Sequence, residues 1–185
     1  LGIPAVRDRV AQEVLRRLLT PLFEPLFHDD SHGFRPGRSC HTAMTRLLGI
    51  AEQGHRHLLD ADIKGFFDQI PHAVIMRGLS NVVADGNILD TIERFLKAGV
   101  MEDGVIHRTT VGTPQGGVLS PLLANIALHG LEETIAKAVH HKSSPAVIRF
   151  ADDLVVLHQD LKVLKEAIKV AEVWAAEVGL NFKVS

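Results

Sequence analysis

Three aspartates sit where carboxylates could do metal chemistry. Asp62 lies in an apolar run, Leu58-Leu59-Asp60-Ala61-Asp62-Ile63, whose period of two places Asp60, Asp62 and Lys64 on one face of a strand. Asp152 and Asp153 are adjacent and pinned between Val147-Ile148-Arg149-Phe150 and Leu154-Val155-Val156-Leu157. Those flanking runs read as a hairpin, and its tip can bring the pair to the end of the Asp62 strand. Three converging carboxylates repel and stay ionised together only beside a cation. Hard divalent cations with oxygen ligands meet that need, Mg2+ first. Two such ions, ~3.5–4 Å apart, can activate an attacking hydroxyl and stabilise a leaving phosphate oxygen. The plainer alternative is a turn that favours Asp for its backbone and a strand that ends in Asp.

The elements that must position these residues are legible in outline. Asp8 to Leu22 has helical spacing, with Val10, Val14, Leu15, Leu18 and Leu22 on one face and Pro21 and Pro25 closing it. A turn-rich loop from His28 to Ser39 follows, and Ser39 can cap a helix running to about Gln53. His57 to Ile63 is a strand, and Phe66-Phe67-Asp68 a tight segment. Helices are expected at Pro71–Val83 and Asn87–Lys97, then a hairpin turning at Asp103-Gly104. Gly112-Thr113-Pro114-Gln115-Gly116-Gly117 is a loop, where Gly116 and Gly117 allow close backbone approach to a ligand or simply form a tight turn. Ser120-Pro121 opens one long helix to about His140. Ala146–Phe150 and Leu154–His158 are strands, Leu161–Val178 a helix with Leu164, Ile168, Ala171 and Ala175 inward, and Leu180–Val184 a last strand. Strands do not alternate with single crossover helices, so the class is α+β, and the order from His57 onward suits a split βαβ arrangement.

Composition bounds the rest. In 185 residues, 20 Lys plus Arg against 22 Asp plus Glu leave a formal charge of −2, so a nucleic-acid partner would need its positive charge gathered in a groove. Cys40 is the single cysteine, which excludes an intrachain disulfide framework and suits a reducing, cytoplasmic compartment. No apolar run is long enough for a membrane span, and no leader peptide is read at Leu1. The absent initiator Met and the abrupt end at Ser185 suggest a piece of a longer protein. His28, His32, Cys40 and His41 cluster around two Asp, but loop polarity explains them better than a zinc site does.

Five blocks, in order, resemble reverse transcriptases, and bacterial group II intron-encoded proteins in particular. They are Leu1-Gly2-Ile3-Pro4 with Asp8-Arg9-Val10; Gly33-Phe34-Arg35-Pro36-Gly37-Arg38-Ser39; Asp62-Ile63-Lys64-Gly65-Phe66-Phe67-Asp68; Gly112 through Ile126; and Phe150-Ala151-Asp152-Asp153. The resemblance implies right-hand polymerase fingers and palm: helix-rich fingers over 1–55, the first palm strand over 56–70, fingers or palm helices and a hairpin over 71–111, and palm over 112–185, ending before a thumb. It implies that Asp62, Asp152, Asp153 and the Ile63 carbonyl hold two Mg2+ ions (Mn2+ as a substitute), with Asp62 and Asp152 as the bridging ligands and Asp153 a supporting acid. Phe67 would lie under the incoming sugar and select deoxynucleotides, and Gln115 would contact the dNTP and template pair. Arg9 is a candidate for the triphosphate, and Arg7, Arg35, Arg38, Gly116 and Gly117 for nucleic-acid phosphates, Arg being suited to bidentate phosphate contact. The implied activity is RNA-directed DNA synthesis on an RNA template, such as intron RNA, with a DNA primer. The implied alternative is a maturase that assists splicing and uses the polymerase site secondarily. A nucleotide cyclase would have no use for the Arg35–Arg38 and Gln115–Gly117 blocks. The family's hairpin block usually begins with Tyr; here it is Phe150, in a chain with no Tyr at all. Apolar edges at Leu47, Leu48 and Ile50 make a homodimer an expectation.

Overall fold

The structure, a computed structural model, describes residues 4–102, 105–107, 109–114, 116–138 and 144–184. In chain order the elements are helices α1 (Val6–Phe23) and α2 (Cys40–Glu52), strand β1 (His57–Ile63), helices α3 (Phe66–Gln69), α4 (His72–Ser80) and α5 (Gly86–Lys97), strands β2 (Val100–Glu102) and β3 (Val105–His107), helices α6 (Ser120–Ala127) and α7 (Leu131–Ala138), strands β4 (Ala146–Phe150) and β5 (Asp153–His158), helix α8 (Leu161–Glu177) and strand β6 (Phe182–Val184). The class is α+β, as the element order suggested. The chain divides into two compact units, one of residues Leu1–Leu26 with Gly65–Leu128, the other of Phe27–Lys64 with His129–Ser185.

The first unit is helical apart from the β2–β3 hairpin, whose turn residues Asp103 and Gly104 lie outside the described residues. Its centre is α6, which buries Ser120 and every residue from Leu122 to Ala127. Helices α1 and α4 pack on it, and α5 packs on α4. Gly78 of α4 lies so close to α6 that a Cβ there would meet Ile126 Cγ2 at 2.7 Å.

Helix α1 departs from the expected face and stop. It buries Gln12, Leu15, Leu19 and Phe23, and leaves Val10, Val14, Leu18 and Leu22 about half exposed or more. The helix carries two apolar stripes of the same period, and its packing against α6 selects the one through Leu15 and Leu19. Pro21 lies inside the helix, and a 3-10 turn at Glu24–Leu26 ends it.

The second unit is a four-stranded antiparallel sheet in the order β4-β5-β1-β6. Alternation along each strand separates two cores. Ala61, Val147, Leu154 and Val156 face α7 and α8, which contribute Leu131, Ile135, Leu164, Ala167, Ile168 and Ala171. Ile148 and Leu157 face the other way, against Ala43 and Ile50 of α2. Ile50 is therefore core, not an exposed edge; of the expected apolar edge, Leu48 is exposed and Leu47 half-buried.

Ser39 caps α2 as its sequence suggested: its Oγ accepts from Thr42 N–H, and the Thr42 hydroxyl oxygen accepts from Ser39 N–H. Cys40, the next residue, is exposed. The single long helix expected from Ser120 to His140 is instead two, α6 and α7. Gly130 takes a φ of +92° between them, which ends one helical run and starts another.

Candidate active site

Strand β1 is paired on both sides, so its register is fixed, and Asp62 stands directly opposite Asp153 of β5. Opposed residues of an antiparallel pair share a sheet face, so these carboxylates lie side by side on the face that carries α2. Asp152 occupies the two-residue turn Ala151-Asp152 that joins β4 to β5. Ala151 holds a φ of +58°, the positive value that a II′ turn needs at its first central position and that glycine usually supplies.

Electrostatics agree with the placement. Burial pushes the Asp152 carboxyl above the ordinary range, a hydrogen bond to its own backbone pulls it down, and the Asp62 charge raises it further. Asp153 is pushed up by burial first, then by Asp152, Asp62 and Asp60. Anionic oxygens that crowd in this way are the donor set a hard cation seeks. Among the described residues no three His, Cys, Asp or Glu side chains gather closely enough to hold a metal ion, so the three aspartates do not by themselves converge into a metal cluster. Ile63, next along β1, is fully buried.

The strand edge beside the turn is covered. Arg149 N–H donates to the Asp30 carbonyl and His32 N–H donates to the Arg149 carbonyl, both at 2.8 Å, so the 30–32 segment runs along β4 like a short extra strand. Gly33 then passes over the turn. A Cβ on Gly33 would lie 2.3 Å from Ala151 N and 2.9 Å from Ala151 Cα. The Arg149 side chain, 1 % exposed, pairs with the equally buried Glu132 of α7 at 2.6 Å. It also donates to the Ala151 carbonyl at 3.0 Å and to Ser31 Oγ at 2.8 Å. Arg149, Glu132 and Ser31 were missed in sequence reasoning. The one available signal was a cation inside an otherwise apolar strand.

The arginines of the 28–38 loop face different surroundings. Arg35 is buried, donates to the His28 carbonyl at 2.6 Å and the Ser31 carbonyl at 2.8 Å, and lies over the Phe27 ring. Arg38 bonds the Asp29 carbonyl and carboxylate. Arg7 and Arg9 are exposed on α1. His28 Nδ1 accepts from Asp30 N–H.

His32 is buried, and its Nδ1 meets the Thr42 hydroxyl, whose own hydrogen goes to the Ser39 carbonyl; its Nε2 has no partner among the described residues. Burial holds this imidazole below its usual range; Arg38 lowers it further, Asp30 opposes, and Arg35 and Arg46 add to the depression. A histidine kept neutral by the fold stabilises above its unfolded pKa of about 6.5 and loses that contribution as pH falls. Melting temperature is therefore expected to drop more steeply from about pH 7 to about pH 5 in wild type than in His32→Gln. Equal slopes in paired melts would count against it.

In the first unit, Phe66 is buried and Phe67 half-buried, their rings edge-to-face at 5.4 Å. The glycine loop folds back on this segment: Thr113 N–H donates to the Phe67 carbonyl and Gly112 N–H to the Ile70 carbonyl, each at 2.7 Å. His72, buried, meets the Gly112 carbonyl at 2.8 Å through Nε2. Gly116 takes a φ of +103°. A Cβ on Gly117 would lie 2.5 Å from Ser120 Oγ and 3.3 Å from Gln12 Oε1. Gln12, also missed in sequence reasoning, accepts from Val118 N–H at 2.9 Å. Gln115 lies outside the described residues.

An antiparallel sheet backed by helices, with an acidic turn beside an acidic strand end, fits the α+β fingers-and-palm fold of template-directed polymerases. The telomerase of Candida tropicalis, solved with a TWJ fragment of telomeric RNA, superposes with a TM-score of 0.69 over 98% of this chain and 33% of its own, at 12% identity. The chain belongs to the reverse transcriptase (RNA-dependent DNA polymerase) family, which it matches over residues 1–185. It is 41% identical over 174 residues to the group II intron-encoded protein LtrA of Lactococcus lactis subsp. cremoris, covering 93% of this chain and 28% of that protein. It is 44% identical over 135 residues to a 91 kDa protein in the cob intron of Schizosaccharomyces pombe, covering 73% of this chain and 17% of that protein. The chain thus spans under a third of the length of these relatives. No described helix is long and apolar enough to cross a membrane.

Proposed function

We propose that this chain is the fingers and palm of an RNA-directed DNA polymerase of a group II intron-like retroelement. The observation that carries the reading is Asp62 standing opposite Asp153, with Asp152 in the adjoining turn. Asp62, Asp152 and the Ile63 carbonyl hold Mg2+, with Mn2+ as a substitute, and Asp153 supports the charge. Two such ions supply activation of the primer 3′-hydroxyl and neutralisation of the departing pyrophosphate. The chain's own part is to orient: Phe67 lies under the sugar of the incoming dNTP, Gln115 contacts the base pair, and Arg9 meets the triphosphate. Arg7, Arg38 and the Gly116-Gly117 backbone approach phosphates of the RNA template and DNA primer. Arg35, buried on two carbonyls and a ring, holds its loop instead. On this reading residues 1–55 and 71–111 serve mainly as fingers, and 56–70 and 112–185 as palm. The polymerase works in the bacterial cytoplasm on intron RNA and pairs as a homodimer.

Primer extension on poly(rA)/oligo(dT) tests this in the intact protein. Incorporation of dTTP with Mg2+, lost on chelation, is the expected result. Tight RNA binding without synthesis would replace it with the maturase reading, which the intron-encoded relatives make the natural rival.

A further inference from the structure

Among the described residues Arg149 is the largest fully buried side chain, and nothing in the reaction above uses it. A buried ion pair is costly to form and gains little stability over an apolar pair of the same volume. Its geometry suggests a different use. The guanidinium sits at the junction of three segments: α7 through Glu132, the 28–38 loop through Ser31 Oγ, and the turn through the Ala151 carbonyl. Its backbone ties the same loop at Asp30 and His32. The turn it grips is the one that needs holding, because Ala151 bears a positive φ without being glycine, a conformation that persists only where the surroundings impose it. The next residue is Asp152.

We infer that Arg149, anchored by Glu132 and Ser31, is a positioning residue that fixes the Ala151 peptide and so aims the Asp152 carboxylate. The inference rests on the site reading above. Lysine can keep the charge pair with Glu132, but as a point donor it lacks the planar fork that reaches Ala151 and Ser31 together.

The test uses the intact protein in four forms, wild type, Arg149→Lys, Ser31→Ala and Asp152→Ala, with three readouts. These are Mn2+ binding by electron paramagnetic resonance, kcat and KM for dTTP in primer extension, and thermal melts. Arg149→Lys is expected to weaken Mn2+ binding by about tenfold, the size of one charge-assisted hydrogen bond. It should lower kcat by a similar factor and leave KM near wild type. Ser31→Ala, which removes a single contact and keeps the ion pair, should move both in the same direction by about threefold. A melt that falls while Mn2+ affinity and kcat per folded molecule stay at wild-type values overturns the positioning role and leaves Arg149 structural. If Arg149→Lys does not fold, unchanged Mn2+ affinity in Ser31→Ala overturns it equally. If Asp152→Ala binds Mn2+ and extends primers like wild type, the site reading fails and takes the inference with it. If Asp152→Ala is silent while both other variants behave as wild type, the inference alone fails.

Discussion

Replacing Asp152 with Asn is expected to raise the melting temperature of the metal-free protein while eliminating primer extension. The two effects have one origin. The Asp152 carboxylate is half-buried next to Asp62 and Asp153, so the fold holds three anionic groups together. Burial is the larger penalty on the Asp152 carboxylate and the Asp62 charge the smaller, and solvent screening at a half-exposed group limits the relief to about 1 kcal/mol or less. That corresponds to about 2–4 °C at this chain length. The sign with pH follows. Both carboxyls sit above their unfolded pKa, so the fold is best served at low pH and is penalised as pH rises through the folded values. The advantage of the Asn variant should therefore widen from about pH 4 towards neutrality. Mg2+ should raise the melting temperature of wild type and close the gap. In activity the loss should be on the order of a thousandfold, since a metal ligand contributes several kcal/mol to the transition state. Calorimetry with and without Mg2+ checks the first half and single-turnover extension the second. A variant less stable than wild type at neutral pH without metal would defeat the electrostatic account.

Gly33→Ala is expected to be the most damaging single methyl in the second unit. The added carbon would lie 2.3 Å from a backbone nitrogen, 2.9 Å from a Cα and 3.0 Å from the Phe150 carbonyl carbon. No side chain can rotate away, so the 31–33 segment or the turn must move. Overpacking commonly costs about 1–3 kcal/mol, and a clash with fixed backbone belongs at or above the upper end. A loss of about 3 kcal/mol lowers the melting temperature by roughly 6–12 °C. The turn carries Asp152, so residual activity should fall as well. A melt within 2 °C of wild type, on the order of the shift from a neutral surface change, would show that the two backbones are not in contact.

These two sites illustrate what the sequence could and could not convey. Period-two alternation placed β1 from His57 to Ile63, and Ser39 as a cap located the start of α2, because both signals are local. The acidic turn was legible for the same reason: apolar runs on either side leave Ala151-Asp152-Asp153 few other places to be. The face of α1 was not legible, since stripes through Val10 and Val14 or through Leu15 and Leu19 obey the same period and only α6 decides between them. The break at Gly130 competed with a good helical pattern on both sides. The Arg149 cluster is long-range: Ser31 lies 118 residues away in sequence and Glu132 17. A lone arginine in a strand ordinarily points to solvent, and only tertiary structure brings Glu132 behind it.

The placement of Cys40 has a practical consequence. It is the chain's single thiol, it is exposed, and it opens α2 immediately after the loop that crosses the acidic turn. A maleimide fluorophore or spin label would therefore attach to this chain at one position without mutagenesis, on an element packed against the sheet. Motion of the loop relative to that sheet could be followed from there while the aspartates, the arginine behind them and the glycine above them keep their native side chains.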